Sequence, residues 1–388
     1  SAHGKWIQVL TGFIRERDIP QMDDLLNKYF PTVTPCVEDP TPEDNPPVSI
    51  TLSPFVRPIQ MLVDLFGRPD YKTFDPSPFI MPTFLLFFGI CFGDVAYGTM
   101  LTVLSLYIMR KTKPYAGIYN FARLMLYAGI ATIVFGFLLG SLFGDLYAEK
   151  YLGENNLLYR LMMATQVIDP IQKPIVVLLA ALGIGMFNQF YGIALKMYSA
   201  LLRGDKAEAL CDGLLWLVIC PGFVIMIAKM FAPVPAPVFY IGLLLFFAGA
   251  LGLILTQGRE SSGLVGRLMT GVISLYGIVG SYGLTSFIGD TMSYCRLLAL
   301  SLTTAIVALS FNMMAGLLRP IPYVGLILFV VVLIIAHIFN FLISVLGAFV
   351  HSMRLIFVEF FGRFYATGSR PFEPLGFDSK SAILHRQQ

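Results

Sequence analysis

Eight stretches of this sequence stay apolar for about 20 residues or more, the length that crosses a bilayer core. They cover 79–109, 121–147, 174–202, 209–231, 237–256, 264–288, 291–318 and 323–358. Within hydrocarbon every backbone polar group must be satisfied internally, which leaves helices or closed barrels, and runs this long are helical. Only 13% of the residues are charged and the mean hydropathy is +0.73, against roughly 25% charged in soluble domains. The fold class expected is an all-α polytopic membrane protein.

Several function classes fall away on the same grounds. The net charge of +3 is spread out with no polybasic block, so no nucleic-acid partner is expected. Cys36, Cys91, Cys211, Cys220 and Cys295 show no CxxC spacing, and they read as small buried hydrophobes rather than a zinc site or disulfide framework. No phosphate loop, catalytic triad or metal cluster is present. No catalytic, cofactor-binding or metal-ligating residue is therefore assigned, and hydrolysis within this chain is not expected.

Residues 1–75 differ in character. "WIQVLTGFI" (6–14) reads as a strand and "IPQMDDLLNKYF" (19–30) as a short helix with Pro20 in its first turn. A linker follows with prolines at 31, 35, 40, 42, 46, 47, 54 and 58. A strand, a helix and a linker cannot build a core, so this α/β piece is expected to be the C-terminal end of a cytoplasmic domain in a longer protein. The organisation expected is 1–75 as that piece, 76–365 as the membrane domain and 366–388 as a cytoplasmic tail.

Cations orient the membrane runs. Arg110, Lys111, Lys113 and Arg123 flank the first gap, and Lys196, Arg203 and Lys206 flank a later one. Arg259 and Arg267 flank another, and Arg363, Arg370, Lys380 and Arg386 mark the tail. The positive-inside rule puts these segments and both termini on the cytoplasmic side. The first run must then enter and return, as a hairpin broken at Gly93–Asp94. By the same logic 264–318 makes one net crossing, bent near "FIGD" (287–290). Counting both arms of the hairpin gives eight membrane segments.

Two of the runs carry charge where charge is expensive. A central arginine costs about 2.5–3.5 kcal/mol on insertion scales, yet Arg296 and Arg354 both occur there. On the last run His337, Asn340, Ser344, His351 and Arg354 fall on one helical face. On the preceding run Arg296, Thr303 and Ser310 repeat at seven, flanked by Ser293 and Thr304. Asp290 and Glu359 lie on the cytoplasmic side of the arginines; His351, Ser344, Thr303 and Thr304 lie on the outer side. Two polar vestibules separated by a cationic barrier are expected. Blander readings stand beside this one: Arg354 snorkelling to headgroups, Arg296 paired to Asp290, His337 as a neutral packing residue, and Glu359 as an interfacial carboxylate.

Asp94 and Asp145 both occur in "FGD" triplets. Such an Asp caps the following helix, a reading that suits Asp145 best; Asp94, deep in the hairpin, is equally a candidate for the ion path. Glycines in "LGIGMFNQFYG" (182–192) and "GIVGSYG" (277–283) are expected to let helices approach closely.

Three motifs carry a family resemblance. "YKTFDPSPFIMPTFLLFFGICFGDVAYG" (71–98), "SYCRLLALSLTTAIVALSFN" (293–312) and "HSMRLIFVEFFGRFYATGSRPFEP" (351–374) resemble the membrane domain of the V/A-type rotary ATPase stator subunit. That subunit is a in vacuolar enzymes and I in prokaryotic ones, and the compact outer loops resemble the prokaryotic branch. The resemblance implies a static half-channel subunit that passes H⁺ or Na⁺ to carboxylates of a rotating proteolipid c/K ring, with the last two segments facing that ring. It implies Arg296 as the essential arginine, Arg354 as its partner and His351 beside them. Thr304 and Ser344 stand where vacuolar members carry His and Glu. The implied partners are the ring, peripheral-stalk subunits, a central-stalk d/C-type subunit, the ATPase head and membrane lipid; the implied location is a prokaryotic plasma membrane. A secondary transporter with the arginines as an anion clamp is the alternative, but it predicts matching broken helices in two halves. A purely structural anchor would not need two arginines on polar stripes.

Overall fold

The computed structural model describes residues 2–3, 8–41, 44, 46–71, 73–112, 116–148, 157–231, 233, 235–257, 273, 283–365 and 367–372. The chain forms two units. One comprises Ser1–Leu52, Phe66–Asp75 and Ala366–Gln388, the other Ser53–Leu65 and Pro76–Tyr365.

In the first unit, β1 (Ala2–His3) pairs antiparallel with β2 (Gln8–Val9), and β3 (Arg68–Pro69) with β4 (Thr367–Ser369). The strand expected over 6–14 is thus limited to Gln8–Val9 among the described residues, because its partner is itself two residues long. Leu10 and Phe13 beyond it are exposed. The expected helix forms as α1 (Ile19–Tyr29) with Pro20 in its first turn and no buried residue. Arg68 steadies the linker by donating from Nη1 to the Val48 carbonyl at 3.0 Å.

The second unit is helical. α2 (Gln60–Phe66) begins in it and buries Leu62 and Val63. Then come α3 (Ser77–Phe92), α4 (Val95–Lys111), α5 (Ala116–Leu139), α6 (Leu157–Thr165) and α7 (Pro174–Arg203). A π-helical turn (Ala209–Leu214) leads into α8 (Leu215–Phe231), followed by α9 (Ala236–Gln257). The C-terminal half holds α10 (Leu284–Ser293), α11 (Cys295–Gly316) and α12 (Gly325–Arg354). A π-helical segment (Leu355–Phe360) and the short α13 (Phe361–Phe364) continue α12.

Among the described residues six helical stretches are long and apolar enough to cross a membrane: Gly117–Leu139, Pro174–Arg203, Ala209–Lys229, Ala236–Thr256, Leu284–Gly316 and Gly325–Phe364. The first apolar run is instead two shorter helices of 16 and 17 residues, α3 and α4. They part at Gly93 and Asp94, where the hairpin break was expected. Gly93 adopts φ +21° and Asp94 an extended backbone.

The bend in the 264–318 run lies elsewhere than expected. "FIGD" is continuous helix within α10, and the interruption comes at Tyr294, between α10 and α11. Residues 258–272 and 274–282, which include Arg259, Arg267 and most of "GIVGSYG", lie outside the described residues, as do Lys113, Lys380 and Arg386.

Packing follows from small residues and aromatic rings. α4 lies along α5, and α3 packs between α5, α11 and α12. Gly98 and Gly129 permit the α4–α5 approach. A Cβ on Gly98 would meet Ile133 at 2.9 Å, and one on Gly129 would meet Thr102 at 2.6 Å. α7 contacts α10, α11 and α13, while α8 pairs with α9. Of the glycines in 182–192, Gly185 makes the close approach, with Tyr294 lying 2.6 Å from where its Cβ would be.

Candidate functional site

Two polar regions form between the helices, and their chemistry is opposite. The first is a buried hydrogen-bond chain linking α4, α11, α12 and the loop after α5. Asn312 anchors one end: its Nδ2 donates to the Phe143 carbonyl at 2.7 Å and to Asp145 Oδ1 at 3.0 Å. That fixes the amide, so Asn312 Oδ1 faces His337 Nε2 at 2.9 Å as an acceptor. The network thereby assigns the His337 proton to Nε2, and Nδ1 accepts from the Tyr97 hydroxyl at 2.8 Å. Tyr97 in turn accepts from Asn340 Nδ2 at 2.9 Å. Asn340 Oδ1 accepts from the Ser344 hydroxyl at 3.2 Å, and Ser344 from Thr304 at 3.3 Å. Every donor in the series points toward Asp145.

This chain is dry and closely packed. Tyr97 and Asn312 are fully buried, and His337 and Asn340 nearly so. The Phe143 ring covers His337 with centroids 4.7 Å apart and meets Tyr97 edge-on at 5.3 Å. Phe143 holds a left-handed backbone at φ 48°, a conformation a bulky residue rarely adopts.

Asp94 secures that loop. Its Oδ1 accepts from the Ala96, Tyr97 and Phe143 amides at 2.9, 3.1 and 3.1 Å. Its Oδ2 accepts from the Ser141 hydroxyl at 2.6 Å and the Gly144 amide at 3.1 Å. The carboxylate caps α4 and ties it to the turn after α5, with all its lone pairs engaged. The expected ion-path role for Asp94 gains no support from this geometry, whereas capping is what it does.

The second region lies near the junctions of α10 with α11 and of α12 with its π-helical end. Here buried polar atoms go without partners among the described residues: Arg296 Nη1, His351 Nδ1, Ser352 Oγ and Glu359 Oε2. Arg296 and Arg354 both act electrostatically on His351, and Arg296 also on Glu359, which Ser293 approaches. Glu359 is 4% exposed, whereas Arg354 is exposed and His351 half-buried. Unpartnered buried polar atoms are uncommon and costly, and here several lie near the same helix junctions.

The two expected stripes are each divided. On α12, His337 and Asn340 belong to the saturated chain, while His351 and Arg354 belong to the unsaturated cluster, with Ser344 at the end of the former. On α11, Thr303 and Ser310 are exposed and bond only to their own helix, at the Ala299 and Ile306 carbonyls. Their neighbour Thr304 faces inward. Asp290 is not paired with Arg296: its Oδ2 takes the Arg363 guanidinium, a partner on α13. Sequence reasoning placed Arg363 only among flanking cations and passed over Tyr97, Asn188, Gln189 and Asn312. Tyr97 and Asn312 did stand inside the motifs quoted above.

The matched family is the one described as the V-type ATPase 116kDa subunit family, over residues 3–147 and 284–377. Both polar regions fall inside those segments. The chain belongs to this family. Among its relatives, the A-type ATP synthase subunit I of Pyrococcus horikoshii is 31% identical over 377 residues, 94% of this chain and 53% of the relative. The subunit I of Methanocaldococcus jannaschii is 30% identical over 86% of this chain and 49% of the relative. That of Pyrococcus abyssi is 33% identical over 87% of the chain and 49% of the relative. The chain therefore spans about half the length of the curated relatives it matches. With its apolar helices, this membership makes the chain an integral membrane protein of the V-type ATPase 116kDa subunit family.

Proposed function

We propose that this chain is the membrane part of a rotary V/A-type ATPase stator, passing H⁺ or Na⁺ through two half-channels to the carboxylates of a rotating proteolipid ring. In this reading the α3–α4 hairpin and the six longer stretches make eight segments, with both termini cytoplasmic. The observation that carries it is the unpartnered Arg296 guanidinium, half-buried on α11 with its Nη1 wholly enclosed. A buried guanidinium nitrogen with no hydrogen-bonding partner in its own chain suits a carboxylate that arrives and leaves.

The electrostatics are sufficient. A ring carboxylate facing lipid must be neutral, protonated or ion-loaded, since a bare charge there is prohibitive. Opposite Arg296, two unit charges at about 4 Å and an effective dielectric near 20 interact by roughly 4 kcal/mol. That shifts the carboxylate toward its ionised form by about a thousandfold. The cargo is released into one vestibule, the emptied group passes the arginines, and it reloads from the other. Arg354 adds a second fixed charge, and His351 lies in the field of both. Glu359 and Ser293 line the cytoplasmic vestibule; Ser344, Thr304 and Thr303 lie toward the outer one. The arginines also block ions from slipping directly between vestibules, so flow requires rotation.

Partners follow from the same reading: the ring, peripheral and central stalks, the ATPase head and lipid. The test uses the whole complex in vesicles. Arg296→Ala is expected to abolish coupled pumping while the complex still assembles, and Arg296→Lys to fail as well, because a desolvated lysine can lose its proton. Arg354→Ala is expected to impair pumping less. Undiminished pumping by the assembled Arg296→Ala complex overturns the reading.

A further inference from the structure

We propose that Arg363 is a positioning residue for ion transfer: by pairing with Asp290 it withdraws that carboxylate from the vestibule, leaving Arg296 free for an incoming one. The inference deepens the half-channel reading and rests on it.

Arg363 is an unlikely resident of its site unless it has work there. Its side chain is 4% exposed, while that of Asp290 is 27% exposed. A fixed charge is buried this deeply only when paired. The pair joins α13 to α10, bridging 73 residues of sequence. Asp290 Oδ2 receives the guanidinium Nη2, with the Ser286 hydroxyl at 3.5 Å as its other neighbour.

The surroundings show what the pair controls. Tyr294, at the interruption between α10 and α11, is fully buried and lies in the electrostatic reach of Glu359, Asp290 and Arg363 together. Glu359 feels both Arg296 and Asp290. Two carboxylates and the Arg363 guanidinium thus act on one ring, and Arg296 acts on one of those carboxylates. Without Arg363, Asp290 would stand as a second anion beside Glu359, and two carboxylates of the chain rather than one would draw on Arg296. An arginine already neutralised could not draw the charge of a passing group.

Two residues of α7 hold α10 and the Tyr294 that follows it. Gln189 Nε2 donates to Thr291 Oγ1 at 3.1 Å and to the Phe287 carbonyl at 3.3 Å. Asn188 Nδ2 donates to the Tyr294 hydroxyl at 2.6 Å. Neither carries charge, so the charges that set the local balance are those of Asp290, Arg363, Glu359 and Arg296. Arg363 also packs beside Gly192 of α7, its Cβ lying 3.5 Å from where a Cβ of that glycine would be. The base of the Arg363 side chain is therefore packed against α7.

The test compares Asp290→Asn, Arg363→Gln, the double variant and Arg363→Lys in the assembled complex, reading ions pumped per ATP hydrolysed. Each single neutral variant leaves a buried charge without its partner, and coupled pumping is expected to fall at least about tenfold. The double variant removes both charges and is expected to recover to within about threefold of the parent. Arg363→Lys keeps the charge and is expected to retain most of the coupling. A double variant as inactive as Asp290→Asn alone would make Asp290 an ion carrier and overturn the proposal; so would an Arg363→Gln complex that pumps normally. The half-channel reading fails separately, through pumping by Arg296→Ala. In that event the double variant could still restore assembly and thermal stability without bearing on transport.

Discussion

The two polar regions of the membrane unit are built from similar residues and do opposite things. Near the loop after α5, Asp94 accepts five hydrogen bonds and the series from Thr304 to Asp145 leaves each linking atom engaged. Near the tail, Arg296, His351, Ser352 and Glu359 each keep a buried polar atom unsatisfied. A saturated network over-determines its own geometry and has nothing left to offer. An unsaturated one is held in an unfavourable state by its frame and keeps its bonding capacity for a partner. The first region therefore reads as scaffold, and the second is the one to which the proposed ion transfer is assigned.

The sharpest way to break this contrast is at Asp94. Asp94→Ala strands five buried donors and is expected to cost about 3–5 kcal/mol. Purified protein in detergent should melt far lower or fail to accumulate. A melting temperature within about 2 °C of the parent would mean the loop does not depend on the carboxylate.

Glu359→Gln tests the other region with the opposite signature. Coupled pumping is expected to fall at least about tenfold while thermal stability holds or rises, because a buried charge with one unsatisfied oxygen is removed. Loss of both together would assign Glu359 to the scaffold.

Within the chain, His337→Leu removes two hydrogen bonds and leaves Tyr97 and Asn312 short, an expected loss of about 2 kcal/mol. Asn312→Leu at the same time should add little beyond either single change, since the two share one network. A double-mutant cycle in detergent reads this coupling directly. Thr303→Val gives the smallest effect, within about 0.5 kcal/mol, whereas Thr304→Val frees Ser344 and should be measurably worse. Equal effects from the two threonines would erase the distinction between the exposed and buried faces of α11.

Much of this was legible in the residues. A Gly-Asp pair inside an apolar run has few explanations, and the hairpin break lies there. Arg296, Arg354, His351 and Glu359 stand out because charge is scarce in such a chain. The division of each stripe was not legible. In a membrane helix both the lipid face and the protein face are apolar, so periodicity does not say which side is buried. Consecutive helical residues also stand about 100° apart, enough to put Thr303 outside and Thr304 inside. The interruption at Tyr294 was missed because neither glycine nor proline marks it. The partner of Asp290 was missed because nearness in sequence pointed to Arg296, while the real partner comes from the far end of α12's continuation.

One consequence of the pinned amides concerns direction. Asn312 cannot turn over without losing the Phe143 carbonyl, nor Asn340 without losing that of Thr304, 3.3 Å away. The row of dipoles is therefore locked with its donors facing Asp145, and reversing it means breaking both anchors at once.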